Sequence, residues 1–313
     1  MTDPNALYAS LSRLLTEQRN PASLDLDTLS TYRILQLINA QDKLVPLAVE
    51  RELPYIEQAV GHVVDALRAG GRLFYFGAGT SGRLGVVDAS ECPPTFGTPP
   101  EMVRGIIAGG AAAMFRSQEG AEDDTAQALR DFDALAVTSR DVVCGIAASR
   151  RTPYVVAVVD RARAIGARTL YITTNPRADF DLTVDVAICA EVGPEVLMGS
   201  TRMKSGTAQK LILNMITTTA MVRLGKVYQN MMVDLQLTNN KLVERSKRIV
   251  MLATGVSYDE ASSALEQAEG HVKTAIVMIL ANVGAGEAHQ RIDAAGGFVR
   301  GAIAGPGPTE ATQ

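Results

Sequence analysis

Two glutamates stand where carboxylate chemistry is possible. Glu91 lies in the run Asp88-Ala89-Ser90-Glu91-Cys92-Pro93-Pro94, and Glu122 in Glu119-Gly120-Ala121-Glu122-Asp123-Asp124. Acid–base catalysis needs a proton donor and a proton acceptor, and two carboxyl groups fill both roles when their surroundings separate their pKa values. Other groups are scarce. The 313 residues include three His and three Cys, with no CxxC and no HExxH. Neither a disulfide framework nor a zinc ribbon is expected, and no His-based metal site. Cys92 reads as a packing residue, since a free thiol behaves as a small hydrophobe. Each glutamate also has a plain structural reading. Glu91 fits a solvated irregular turn between a helix and a Pro-Pro break, and Glu122 fits the first turn of a helix, where the macrodipole favours an acid.

A second set of residues could hold an anion. Gly77-Ala78-Gly79-Thr80-Ser81-Gly82-Arg83 has the form GxGxxG after an apolar run. A dinucleotide reading wants an acid at the tip of the following strand, and Val103–Ala108 runs instead into Gly109-Gly110. The hydroxyls of Thr80 and Ser81, with the backbone at Gly79, suit a phosphate monoester at a helix N-terminus. Sugar-phosphate loop, dinucleotide loop and structural glycine turn remain three readings, and the hydroxyls favour the first. The segment Ile146-Ala147-Ala148-Ser149-Arg150-Arg151-Thr152-Pro153 repeats the theme. Ser149 and Thr152 fit a second phosphate contact, or simple N-capping, with Pro153 in a first helical turn. A third stretch, Gly193 to Lys210, gathers backbone donors, hydroxyls such as Ser200 and cations such as Lys204. It suits a polyhydroxylated anion or a capped helix start.

These loops need a scaffold to aim them. Short apolar runs at Leu73–Phe76, Val103–Ile107, Val142–Ile146, Thr169–Ile172 and, more weakly, Val184–Cys189 alternate with helical patterns at Glu119–Leu135 and Pro153–Ile165. That rhythm predicts an α/β fold, a doubly wound parallel sheet with helices on both faces. Residues 28–69 read as two helices broken near Pro46 and Pro54. Residues 203–224 read as a strong helix, with a further helix or two to about Leu242. Ile249–Thr254, Tyr258–Ala268 and Val272–Asn282 read as three short helices. The expected domains are therefore residues 1–242, residues 243–300 and a disordered Gly/Pro-rich tail over 301–313.

Composition narrows the partners. Net charge is −4, aromatic residues make up 5% and Trp is absent, which disfavours nucleic acid. No run reaches the ~20 apolar residues of a membrane span, and the N-terminus lacks the basic start and apolar core of a secretory signal. A cytoplasmic protein acting on a small molecule is the expectation.

Taken together, these segments resemble the sugar isomerase (SIS) fold and, within it, the N-acetylmuramic acid 6-phosphate etherases. The carrying stretches are LTEQRNP at 15–21, GAGTSGRLGVVDASECPPT at 77–95, GAED at 120–123, TPYV at 152–155, STRMKSGTAQK at 200–210 and VDLQLTN within 225–240. The likeness spans about residues 15–300, and the C-terminal helices resemble a three-helix ubiquitin-associated-like domain. The resemblance implies cleavage of the D-lactyl ether of the sugar phosphate by elimination and water addition, in peptidoglycan recycling, with no metal or other cofactor. It carries the catalytic pair onto Glu91, as acid to the departing lactate, and Glu122, as base at C2. It carries phosphate contacts onto Thr80, Ser81, Ser149 and Thr152, and a sugar contact onto Ser200. It also implies a homodimer, for which the apolar stretches 203–224 and 227–242 are interface candidates or core. The alternative is a non-catalytic sugar-phosphate-binding regulator of the same fold. One departure stands out: the etherases usually show Ser-Gly-Arg-Thr where this chain has Ser149-Arg150-Arg151-Thr152. Arg150 would add a charge-assisted phosphate contact, or strain the loop.

Overall fold

The computed structural model describes residues 14–149, 151–235 and 240–305. The chain forms two compact units, one of Met1–Ser90 with Glu101–Thr217 and one of Glu91–Pro100 with Thr218–Gln313.

In the first unit the order is α1 (Thr31–Asp42), α2 (Val45–Glu50), α3 (Leu53–Arg68), β1 (Leu73–Gly77), α4 (Gly79–Phe96, its last residues in the second unit), β2 (Val103–Ile107), α5 (Thr125–Asp133), β3 (Val142–Ile146), α6 (Pro153–Ala164), β4 (Arg168–Thr173), β5 (Val186–Cys189) and α7 (Lys204–Arg223, likewise ending in the second unit). The five strands form one parallel sheet in the order β2-β1-β3-β4-β5. β1 and β3 are apolar and buried throughout because both their faces are covered, while the edge strand β2 exposes Arg104 and β4 begins at the exposed Arg168. Phe74, Phe76, Val143 and Tyr171 point to one face and pack with Phe132 of α5 and Tyr154, Val155 and Val158 of α6. On the other face α4 approaches so closely that a Cβ at Gly85 would lie 3.0 Å from Tyr75. The chain leaves β1 toward β2 and then crosses to β3, so the strand order reverses between β1 and β3. Open α/β sheets bind ligands at the carboxyl ends of strands flanking such a reversal. Here those ends are level, since Gly77 lies opposite both Ile107 and Ile146.

The first half of the chain differs from its periodicity in three places. Residues 31–68 make three helices, because Pro46 and Pro54 each open a new helix at its first turn instead of interrupting one. The helix expected from Glu119 begins at Thr125. Asp124 is its N-cap and accepts from the Gln127 N–H, and residues 119–123 form turns. Glu122 is therefore not in a helix. The Pro-Pro break after Glu91 is absent as well. Pro93 and Pro94 lie inside α4, which ends only where Gly97, at φ +62°, gives its N–H to the Pro93 carbonyl. Glu91 is thus a helical residue.

In the second unit, residues expected to continue as helix form a small antiparallel hairpin, β6 (Val227–Tyr228) and β7 (Met231–Met232), turned at Gln229 with φ +55°. Among the described residues five helices follow: α8 (Asn240–Thr254), α9 (Tyr258–Gln267), α10 (Val272–Ala281), α11 (Ala285–Ala294) and α12 (Val299–Ala304). The last two escaped the three-helix expectation because they are short and bury little, Ala288 and Ile292 from one, Val299 and Ala302 from the other. Residues 301–304 are accordingly helical, and 306–313 lie outside the described residues. No helix among the described residues is long and apolar enough to cross a membrane.

Candidate active site

The first loop takes its shape from three glycines with two different duties. Gly79 opens α4 at φ +52°, a left-handed conformation that glycine adopts without strain. Gly77 and Gly82 instead let strand end and helix start touch, for a Cβ on Gly82 would stand 2.5 Å from the Gly77 carbonyl oxygen. The result is a tight strand-to-helix turn. The first N–H groups of α4, at Gly79, Thr80 and Ser81, lack intrahelical partners by geometry. Thr80 is half-buried, while Ser81 is buried and donates its hydroxyl to Gln209 Oε1 at 2.9 Å.

The second loop leaves β3 beside the first and is held by one carbonyl. Ala148 O accepts from Thr173 Oγ1 at 2.9 Å and from Asn175 Nδ2 at 2.7 Å, both at the tip of β4. Asn175 is fully buried, and its own oxygen accepts the N–H of Leu15. Ser149, half-buried, follows this anchored residue. Thr152 is the N-cap residue of α6, but its hydroxyl makes no capping bond, so capping does not account for it. Arg150 lies outside the described residues.

Glu122 sits where these two loops meet. Its carbonyl accepts the Tyr154 N–H in the first turn of α6, two residues past Thr152. Its turn also lines a small cavity of about 140 Å³ together with Ala78, Gly79, Arg83 and Gln118. Arg83 closes the far wall by donating to the carbonyls of Ala113 and Met114. The Glu122 side chain is exposed. Glu91 is exposed on α4 and belongs to the second unit.

The third segment reaches the loops through the start of α7. Gly206 faces Thr80, to which a Cβ would stand 3.3 Å away, and Thr174 Oγ1 donates to Ser205 Oγ at 2.9 Å. The N-terminus of α7 is already occupied by a carboxylate, since the fully buried Glu195 accepts from the N–H groups of Lys204 and Ser205, each at 2.9 Å. An incoming anion is repelled there and favoured at α4. Ser200 lies half-buried in the turn before α7. Lys204 is buried, and its ammonium donates to Gln41 Oε1 at 2.9 Å, an oxygen that also takes a hydrogen bond from Asn20. Burial pushes the Lys204 pKa down, opposed by Glu195 and Asp42. The structure thus ties Lys204 to α1 instead of aiming it at the two loops.

Below the loops runs a polar seam between α4 and α7. Asp88 accepts from Asn214 at 2.8 Å and from Thr217 at 3.2 Å. Burial raises its pKa, partly offset by bonds from Asn214, Thr217 and Tyr75. Asn214 and Thr217, three residues apart on α7, meet Asp88 of α4, and Gln209 further back on α7 meets Ser81 of the first loop. Gln209, Thr174 and Asn175 are site residues without a role in the sequence reading. A Thr-Thr-Asn run at a strand tip was the available signal for the latter two, and Gln209 carried none.

A parallel sheet whose switch point is flanked by two hydroxyl-bearing loops defines an α/β protein of the SIS class. A family model described as the glucokinase regulatory protein N-terminal SIS domain matches residues 55–163, from α3 to α6, and so holds both loops and both glutamates. Similarity to curated proteins extends much further. The chain is 63% identical to an N-acetylmuramic acid 6-phosphate etherase of Salinibacter ruber over 97% of this chain and 98% of the relative. Against the etherase of Oceanobacillus iheyensis the identity is 53%, over 93% and 99% of the two chains. Against that of Symbiobacterium thermophilum it is 57%, over 87% and 91%. The chain belongs to the N-acetylmuramic acid 6-phosphate etherase family.

Proposed function

We propose that this chain is a cytoplasmic carbon–oxygen lyase. It cleaves the D-lactyl ether of N-acetylmuramic acid 6-phosphate, giving N-acetylglucosamine 6-phosphate and D-lactate in peptidoglycan recycling, and it works as a homodimer. The observation that carries the reading is the 63% identity to an etherase over nearly the whole of both chains. The local geometry supports it, because Glu122 shares a cavity with Gly79 and is bonded to the helix that Thr152 opens.

In this reading the phosphate lies at the switch point, met by Gly79, Thr80 and Ser81 from one loop and Ser149 and Thr152 from the other. Neutral hydroxyls and N–H groups bind a dianion well where they are preorganised. Ser200 approaches the sugar, and Lys204 acts through the buried tie that orients its segment. In the open-chain aldehyde Glu122 takes the C2 proton. The electron pair left behind forms the C2–C3 double bond as the C3–O bond breaks, and Glu91 protonates the departing lactate oxygen. Water then adds at C3, giving a proton to Glu91, while Glu122 returns its proton to C2. Both carboxyls end as they began.

The test is incubation with N-acetylmuramic acid 6-phosphate and assay of free D-lactate. Lactate release in proportion to substrate consumed is the expected outcome. The match to a regulatory-protein SIS model favours one competing reading, a sugar-phosphate-binding regulator. Tight binding without lactate would establish that reading in place of the enzyme.

A further inference from the structure

The hydroxyl of Ser81 has one hydrogen to give. Here it goes to Oε1 of Gln209, 2.9 Å away, with both residues buried. A hydroxyl turned that way offers an approaching anion only lone pairs. On the same side chain, Gln209 Nε2 is buried without a hydrogen-bond partner. An orphaned buried N–H is rarer in folded proteins than an under-used carbonyl oxygen. One movement resolves both irregularities. A half-turn of the amide about its last side-chain torsion, which is soft and roughly two-fold, exchanges oxygen and nitrogen. Nε2 then donates to Ser81 Oγ, and the serine hydrogen is released. The amide oxygen loses its bond, the less costly group to leave unpaired. α7 fixes the side chain for this purpose. Gly206, one turn earlier, seats Thr80 against the helix, and Ala208 and Ile212 on either side are fully buried.

We propose that Gln209 is a positioning residue that sets the direction of the Ser81 hydrogen bond. It accepts from Ser81 in the arrangement seen here, and it donates to Ser81 when a phosphate monoester takes the hydroxyl's hydrogen. The proposal rests on the phosphate reading of the Gly77–Arg83 loop. Among side chains of this shape only the amide serves both directions: an ionised carboxylate only accepts, and a thioether accepts weakly and donates nothing.

The experiment is calorimetric titration of the full chain with N-acetylglucosamine 6-phosphate. Ser81→Ala loses a charge-assisted bond and weakens binding roughly tenfold to hundredfold. Gln209→Glu keeps the serine hydrogen for itself and weakens binding comparably, whereas Gln209→Met leaves it within about fivefold of wild type. Because Glu also brings charge, the decisive comparison is a double-mutant cycle. In the Ser81→Ala background the Gln209→Glu loss shrinks severalfold, and KM moves while kcat stays within about threefold. An undiminished loss in that background, or equal losses for Glu and Met, overturns the Gln209 proposal and leaves the phosphate reading standing. Wild-type affinity in Ser81→Ala overturns both. For variants that fold poorly, the wild-type Gln209 side-chain amide signal in NMR decides the same question. It shifts on titration if the proposal holds, and an unmoved signal overturns it.

Discussion

Glu91 and Glu122 differ in what holds their backbones, and that difference supports the division of labour proposed for them. Glu122 lies in a turn whose carbonyl is bonded to the first turn of α6, so its carboxylate is carried by the same structure that positions the second loop. A base at C2 needs placement relative to the phosphate, which orients the sugar. Glu91 is carried by the regular backbone of α4. Replacing either by Gln keeps the shape and removes the proton transfer, so kcat falls by roughly 10²–10⁴-fold in each case. Exchange of the C2 proton with deuterated solvent separates the two. Glu122→Gln loses the exchange together with turnover, and Glu91→Gln retains much of it. The reverse pattern in an NMR exchange assay would swap the two roles. Both glutamates stand out in the sequence as acids beside Gly and Pro, and the resemblance to the etherases singles them out as a pair. Gln209 does not stand out, since its significance is an unpaired nitrogen, and pairing exists only after α7 has packed on α4.

The sheet was legible because its signal is local. VVCGI and LFYFG are apolar throughout and admit one environment, a strand covered on both faces. Legibility fails where a single residue decides. Prolines at 46 and 54 begin helices and prolines at 93 and 94 ride inside one, and sequence alone treats all four as breaks. Gln229-Asn230 turns a hairpin that periodicity reads as helix. The far end of the sheet also depends on one group, Asp141. It accepts from the Arg72 backbone at 2.8 Å and from the Arg72 guanidinium and the Thr138 N–H at 2.9 and 2.8 Å, tying β1 and β3 where they begin. Burial alone would push its carboxyl up, but these donors outweigh burial and hold it below the usual carboxylate range. A depressed folded pKa stabilises above the unfolded value, about 3.9, and that stability is lost as pH falls through the folded pKa. Asp141→Asn is therefore expected to cost about 1–3 kcal/mol at pH 7, with the deficit shrinking as pH falls below about 4. Urea unfolding at a series of pH values reads this directly, and a deficit independent of pH would remove the charge from the explanation.

At the scale of the whole molecule, the proposed homodimer needs a surface for a second copy to cover. The two stretches that the sequence left as interface or core are largely core where they are described. On α7, Ile212, Leu213, Ile216 and Met221 are core, at most 1% exposed, while Val222 is exposed, and Val227–Met232 form the hairpin. α1 is the opposite case. Its sequence, TYRILQLINAQD, is rich in large apolar side chains, yet none of its residues is buried, and Tyr32 and Leu35 are 69% and 59% exposed. Ile34 continues this surface into a groove lined by Leu24, Val196, Leu197 and Met198. Exposing several large apolar side chains to water is costly, and clusters of them mark interaction sites. α1 is nonetheless held in place, since Gln41 near its end takes hydrogen bonds from both Lys204 and Asn20. A fixed, uncovered apolar helix suits an isologous contact in which the same helix of a second copy lies across it, the commonest symmetry of soluble oligomers. Leu35→Glu places a charge at the centre of that contact without touching either phosphate loop. Sedimentation velocity is expected to give a dimer for the wild-type chain and a monomer for Leu35→Glu at the same concentration. A dimer that survives the substitution would move the interface away from α1, and a wild-type monomer at every concentration would remove the homodimer from the functional reading.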